Sequence, residues 1–367
     1  MNRLARSAAP VVCVGILVSC LLVVSGAGAT TVPVTTVRIT AVDVPGTGQL
    51  SSVSCSSAAF CMAIGGGYES TVLVPIINGV AQTPEAVPAA VQDLWSISCP
   101  EAEFCDAVGD AYESHVEPGW PLVQVGAVVV VKRGQIAGWV PIAGPNGLPG
   151  DPDGVSLYGI GCYQQNCVAS GWDQYAGAFV VPLYGPDNGN EELVLGGPGD
   201  LLSGVTCRSD TSCLVTGNDQ SKPGGLLVPV SDGTPDSPHG GKGIGYLSIA
   251  SCYGQNPCVA VGNNDKGTEG VVAAVNKRSL GSGQLVKGTQ SLSGVSCAGT
   301  VYCAAVGTNP SGRVGVVVPI KYQIPQTVLR VAGAASLGSV SCPAVDFCVA
   351  VGSGAGGGVM AVFAMPQ

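Results

Sequence analysis

Val340-Ser341-Cys342-Pro343-Ala344-Val345-Asp346-Phe347-Cys348-Val349-Ala350-Val351-Gly352 decides the fold, because it is the clearest of seven copies of one pattern. The cysteines pair as Cys55 with Cys61, Cys99 with Cys105, Cys162 with Cys167, Cys207 with Cys213, Cys252 with Cys258, Cys297 with Cys303 and Cys342 with Cys348. Six pairs enclose five residues and the third encloses four. From the third pair onward the first cysteines recur every 45 residues, and the two earlier steps are 44 and 63. Five residues before each first cysteine stands a leucine: Leu50, Leu94, Leu157, Leu202, Leu247, Leu292 and Leu337. Four residues after each second cysteine stands a glycine: Gly65, Gly109, Gly171, Gly217, Gly262, Gly307 and Gly352. A repeat of about 40–50 residues built from short strand-like runs is the signature of a propeller blade.

Within a unit, Ser339–Cys342 alternates small and apolar residues, as a half-buried strand does. Phe347–Val351 reads as the second strand, and valine-rich Arg313–Pro319 of the preceding unit as a third. Ile324–Ala332, or Glu191–Leu195 in the third unit, reads as the fourth. Helical periodicity is absent from every unit, and Gly, Pro, Asn and Asp mark the joints. The expectation is an all-β chain, a single seven-bladed β-propeller of four-stranded blades over residues 30–367. Val34–Pro45 alternates like a strand but precedes the first unit, while the seventh unit stops after its third strand at Val359–Phe363. The N-terminal strand is therefore expected to pair with the last blade and close the ring, leaving no extended sheet edge. Up-and-down strand order places the turn of each cysteine hairpin on one face with the turn between strands three and four. The loop after strand two and the loop between blades share the other face.

Facing residues at non-hydrogen-bonded positions of a hairpin lie ~4.5–5.5 Å apart, a separation that suits a disulfide. Seven local bridges are expected, each closing a small loop and contributing roughly 2 kcal/mol in the chain-entropy account. Pairing between blades stays open at this level. Zinc is the competing reading. Its ligand pairs usually enclose about two to four residues, whereas these mostly enclose five and have no histidines beside them.

Residues 1–29 read as a signal peptide: Arg3 and Arg6, the apolar stretch Val11–Val24, then Ala27-Gly28-Ala29. The apolar stretch is shorter than the ~18 residues of a membrane span, so no transmembrane segment is expected in the mature chain. A secreted or cell-surface location follows, in an oxidising compartment where disulfides persist. Leu17-Val18-Ser19-Cys20 also resembles a lipoprotein box, which gives lipid anchoring at Cys20 as the second reading. Without residues 1–29 the chain carries 13 basic and 24 acidic side chains, a net charge of −11. Such a balance argues against nucleic acid as a partner. With 11% charged and 46% apolar residues, the composition fits a large buried β core. A monomer is expected.

The second unit is 18 residues longer than the others, in Asp110–Pro121 after its second strand and in Gly144–Ser156 before the third unit. Both insertions fall on the same face, and loops on a rigid scaffold commonly carry function. The candidate binding residues are Tyr112, Glu113, His115, Glu117 and Trp120 in the first insertion and Asp151 and Asp153 in the second. Trp172, Asp173 and Tyr175 join them from the matching loop of the third unit. Aromatic rings with carboxylates nearby suit a sugar or a peptide, and carboxylates alone suit calcium. The bland alternative is that Asp, Asn and Gly merely make turns. No cofactor is expected; Asp151-Pro152-Asp153-Gly154 lacks the rest of a calcium-loop spacing. Of the two histidines, His239 sits in a loop-like stretch and His115 stands between Glu113 and Glu117. No catalytic constellation is legible.

The Val-Ser-Cys-x5-Cys-x-Ala-Val-Gly unit resembles the repeats of secreted actinobacterial propeller proteins. More loosely it is similar to the blades of sialidase-type and photosystem II assembly-factor propellers. The aspartate box of the sialidase type is absent here; its positions read Ile77-Asn78-Gly79 or Ser231-Asp232-Gly233. The resemblance implies an exported bacterial propeller. The functional expectation is a binding or interaction module for a glycan, a peptide or an envelope partner. A glycoside hydrolase or lyase using acids on the blade 1–5 face is one alternative, and a structural envelope protein without ligand is the other.

Overall fold

The computed structural model describes residues 38–67, 70–102, 104–113, 123–144, 154–184, 187–188, 192–195, 201–219, 224–255 and 257–365. Every regular element among them is a strand, and the strands form seven sheets, one per repeat. The first strands are Leu50–Ser57, Val91–Glu101, Val155–Tyr163, Leu201–Ser209, Tyr246–Cys252, Ser291–Cys297 and Ser336–Ala344. The second are Phe60–Gly66, Phe104–Glu113, Asn166–Asp173, Ser212–Asn218, Cys258–Asn263, Tyr302–Thr308 and Phe347–Gly354. The third are Thr71–Ile77, Val123–Lys132, Gly177–Tyr184, Gly225–Ser231, Gly270–Asn276, Gly315–Lys321 and Gly357–Phe363.

The repeated residues turn out to be cross-strand partners. Each leucine faces its glycine, from Leu50↔Gly65 in blade 1 to Leu337↔Gly352 in blade 7. A β-bulge follows the leucine in every blade and presses the first strand onto the second. A Cβ on Gly262 would lie 1.9 Å from the Tyr246 carbonyl oxygen, so only glycine fits there.

The cysteines are bridged within their own hairpins. Cys55 is bonded to Cys61, Cys99 to Cys105, Cys162 to Cys167 and Cys207 to Cys213. Cys252 is bonded to Cys258, Cys297 to Cys303 and Cys342 to Cys348. The bonded Cα atoms stand 3.9–4.1 Å apart. That is closer than the ~4.5–5.5 Å expected of facing residues in a flat hairpin. The pairing is the local one, and the zinc and cross-blade readings fall away because every one of these sulfurs is committed to its own hairpin.

First strands of neighbouring blades touch, which makes them the inner wall of the ring. In five blades a serine just before the first cysteine stitches the contact; blades 3 and 4 have Gly161 and Thr206 there. Ser54 Oγ accepts from the Cys99 N–H (2.9 Å), Ser98 from Cys162 (3.1 Å), Ser251 from Cys297 (3.1 Å) and Ser296 from Cys342 (2.9 Å). Ser341 accepts from the Cys55 N–H at 2.9 Å and so joins blade 7 to blade 1. Second strands lie between two strands of their own sheet and between two neighbouring sheets. They are accordingly buried almost throughout, as in Phe347–Gly354, and carry continuous runs of valine and alanine.

Closure occurs as the unpaired N-terminal strand implied. Val42 pairs with Met360 and Asp43 with Val359, supplying the fourth strand of blade 7. Just before it, Ile39–Thr40 runs parallel to Leu329–Ala332 of blade 6, so the entering chain bridges two blades.

The fourth strand corrects the sequence reading. In place of one run over Ile324–Ala332, blade 6 has Ile324–Pro325 and Leu329–Ala332, each pairing a different end of the third strand. Blades 1, 3, 4 and 5 are split in the same way. In blades 1, 3, 4 and 6 the third strand carries Pro75, Pro182, Pro229 and Pro319. A proline has no N–H to return to the outer strand. At these sites only the carbonyl bonds outward, as from Pro75 to the Gln82 N–H and from Pro229 to the Asp236 N–H. Blade 5 has Ala274 in this register, and there Gly281-Ser282-Gly283 interrupts the outer strand. Blade 2 has Val130 instead of proline, and its outer strand Gln135–Ile142 is continuous.

The two faces sort as strand order dictates. The turn between strands three and four bonds to the cysteine-hairpin turn in blades 1, 4 and 6, through Asn78 N–H to Ala59 O, Asp232 N–H to Thr211 O and Tyr322 N–H to Val301 O. Asn78-Gly79 and Asp232-Gly233 both have positive φ throughout, the geometry of a type I′ hairpin turn.

Candidate functional site

Each bulge inserts one residue after the repeat's leucine on the inner strand, at the end nearer the loops that follow strand two. The seven inserted residues are Ser51, Trp95, Tyr158, Ser203, Ser248, Ser293 and Gly338. Serines here stitch blades together: Ser51 Oγ donates to the Leu94 carbonyl (3.3 Å), Ser203 to Leu247 (3.0 Å) and Ser248 to Leu292 (3.0 Å). Blades 2 and 3 carry rings instead, and the rings meet across the blade boundary. Trp95 and Tyr158 have centroids 6.3 Å apart and planes at 56°. Trp95 is 44% exposed.

The residues flanking the leucine–glycine pair also face each other. In blades 6 and 7 they are hydroxyls that bond mutually, Ser291 with Thr308 (3.2 Å) and Ser336 with Ser353 (2.7 Å). In blade 2 they are two carboxylates, Asp93 opposite Asp110. Trp95 Nε1 donates to Asp110 Oδ1 at 3.0 Å, which fixes the indole beside the acid pair. Ser156, buried at the start of blade 3, hydrogen-bonds Asp110 and Tyr158 and accepts from Gln124 Nε2 at 2.9 Å. Burial holds the Asp110 carboxyl above its ordinary range; its bonds from Trp95 and Ser156 pull it back, and the facing Asp93 pushes it up again. Burial likewise raises the Tyr158 hydroxyl, with Asp110 adding to it. In the next two blades the residue after the glycine is Trp172 and Asn218, and Trp172 Nε1 and Asn218 Oδ1 are buried without partners. The wall over blades 2–4 is thus polar and aromatic where blades 6 and 7 are lined by small, mutually satisfied hydroxyls.

Of the residues singled out from sequence, Tyr112 is exposed on the second strand of blade 2 and faces Gln124, next to this cluster. Glu113 ends that strand. Trp172 faces Ser156 across blade 3. Asp173 is buried, and its Oδ1 accepts from the Tyr175 N–H (2.8 Å) and the Ala176 N–H (2.6 Å), shaping the turn that presents exposed Tyr175. His115, Glu117, Trp120, Asp151 and Asp153 lie outside the described residues. His239 is exposed on an outer-strand segment of blade 4.

Loop length pointed to blades 2 and 3 and missed Asp93, Trp95, Asp110 and Tyr158, which lie on strands. The available signal was departure from the repeat: two adjacent units have rings where the other five have serine or glycine.

A second departure lies nearer the opposite face. The residue after the second cysteine shares a buried apolar cluster with the disulfide of the next blade at Met62, Val168, Leu214, Val259, Ala304 and Val349. In blade 2 that residue is Asp106. It is 6% exposed. Its Oδ2 lies 3.6 Å from Cys167 Sγ, and its Oδ1 has no hydrogen-bond partner. Burial pushes its pKa up to about 6, against a smaller lowering by Lys132. Asp106, Cys162 and Cys167 are close enough to share a metal ion, but both sulfurs are committed to their disulfide.

No family model matches the chain, and no curated protein matches it. Many solved structures do share the fold. The RRP9 WD40 repeats align with a TM-score of 0.62 and 10% identity over 89% of this chain and 97% of that one. YCF48 bound to D1 peptide aligns at 0.56 and 12%, covering 90% and 97%. A catalytically inactive virginiamycin B lyase from Staphylococcus aureus, with quinupristin, aligns at 0.59 and 9%, covering 89% and 99%. At such identities the likeness shows the fold: this chain is a seven-bladed β-propeller, and its neighbours include one bound to a peptide and a lyase.

Proposed function

We propose that the protein is an exported interaction module that binds a basic polypeptide segment at the channel mouth of blades 2 and 3. One observation carries this reading: Trp95 and Tyr158 replace the serine or glycine of the other blades beside the facing carboxylates of Asp93 and Asp110. A cation over a ring face gains about 0.5–2 kcal/mol as it loses water, and carboxylates at the ring edge add charge-assisted hydrogen bonds. The net charge of −9 favours approach of a basic partner. Export is supported by seven disulfides, which persist in oxidising compartments, and by the leader-like residues 1–29.

The test is calorimetric binding of arginine- and lysine-bearing peptides, with neutral glycans as the comparison arm. Trp95→Ser and Asp110→Asn, the first restoring the residue of other blades, should weaken peptide binding about tenfold or more, and salt should weaken it in the parent. Binding of glycans alone, lost in Trp95→Ser, would replace the peptide with a sugar as ligand. Cleavage of those glycans, lost in Asp110→Asn, would favour the hydrolase alternative.

A further inference from the structure

Six of the seven bridges share a buried cluster with an apolar side chain that follows the preceding blade's second cysteine, and at the seventh that position is an acid in contact with the bridge. Cys162–Cys167 is also the one pair enclosing four residues. Cys162 is half-buried, whereas Cys167 is 1% exposed and lies against Asp106. Apart from the bridge, Asp106 is lined by Ser98 and Val130 of its own sheet. Among the described residues, the charge that acts on it is the exposed Lys132. A carboxyl with one oxygen unsatisfied and the other on a sulfur has no structural duty that valine would not perform better; a buried unpaired acid is a cost.

We propose that Cys162–Cys167 is a thiol–disulfide exchange site, opened by an external dithiol that attacks Cys162 Sγ while Asp106 hands a proton to the departing Cys167 Sγ. The reagent thiolate forms a bond to Cys162 Sγ, the Cys162–Cys167 bond breaks, and its electron pair goes to Cys167. The Asp106 O–H proton follows, leaving a carboxylate that regains a proton from solvent. The second thiol of the reagent then attacks the mixed disulfide and releases Cys162. The protein bridge is reduced, and the dithiol is oxidised to its cyclic disulfide. The attacked sulfur belongs to the half-buried cysteine and the leaving sulfur to the buried one. Proton donation at the leaving group removes the difficulty of placing a thiolate in an apolar pocket.

The experiment is limited reduction of the full chain by dithiothreitol, followed by alkylation and peptide mapping of all seven pairs from pH 5 to 8. Rates are divided by the thiolate concentration of the reagent. Cys162 and Cys167 should be alkylated before the other pairs. Their normalised opening rate should fall as pH rises through about 6, where Asp106 loses its proton. Asp106→Asn should open about tenfold or more slowly at pH 5.5 and faster than the parent at pH 8, where the native carboxylate repels the incoming thiolate, so the two profiles cross. Asp106→Val, the residue of blades 3, 5 and 7, repeats the test with the cover the other bridges have. Opening of Cys162–Cys167 no earlier than the other pairs, or parallel pH profiles in parent and variants, would overturn the proposal.

Discussion

Replacing Asp106 should stabilise the protein, and by an amount that depends on pH. The carboxyl has its pKa raised from 3.8 to about 6 by burial. Below about pH 3 it is largely neutral in the folded chain and in the unfolded one, and at pH 4 the difference is still small. Between about pH 4 and pH 6 the unfolded chain releases the proton more readily, and the folded state loses stability as pH rises. Above pH 6 both are ionised and the whole penalty is present. At ~1.36 kcal/mol per pH unit the penalty comes to about 3 kcal/mol. Asp106→Asn keeps the shape and cannot ionise. Its advantage over the parent should be small at pH 4 and approach about 3 kcal/mol at pH 7.5, roughly 4 °C in Tm for a chain of this size. Calorimetric melting of both proteins at four pH values between 4 and 7.5 measures it. An advantage equal at all four would mean that the group is not desolvated in the folded state, and the account of Asp106 would fail.

Three further outcomes follow from the architecture. Gly262→Ala should destabilise by several kcal/mol (about 3 or more), because its Cβ would overlap the Tyr246 carbonyl at 1.9 Å and backbone must shift; denaturant midpoints report it. Ser341→Ala removes the acceptor for the Cys55 N–H between blades 7 and 1 and should cost about 1–2 kcal/mol, with faster amide exchange at Cys55 than in the parent. Deleting residues 38–45 bares the Gly357–Phe363 edge that Val42 and Asp43 cover, and should lower Tm and promote concentration-dependent aggregation, read by light scattering.

The sequence by itself determined the blade. Period, leucine, glycine and cysteine pair are features of one hairpin whose partners stand 5 to 15 residues apart, such as Cys162↔Cys167 and Leu50↔Gly65. Contacts that close repeat with the sequence, so a periodic chain displays them. Face assignment followed from strand order, and closure from one spare strand at the start and one missing at the end. The outer strand reads as continuous because in four of the five split blades its break faces a proline on the neighbouring strand; in blade 5 the break falls at Gly281-Ser282-Gly283.

What only the tertiary structure decided lies between blades. Ser98 meets Cys162 across 64 residues, Ser341 meets Cys55 across 286, and Trp95 meets Tyr158 although 63 positions separate them. Asp106 is 61 residues from the disulfide it covers. A bulge shifts the register by one residue, and a one-residue shift decides whether a side chain points into its own sheet or toward the channel. Periodicity fixes that a blade has a neighbour. The angle and height at which two blades pack decide which two side chains touch, and both candidate sites are made of such contacts.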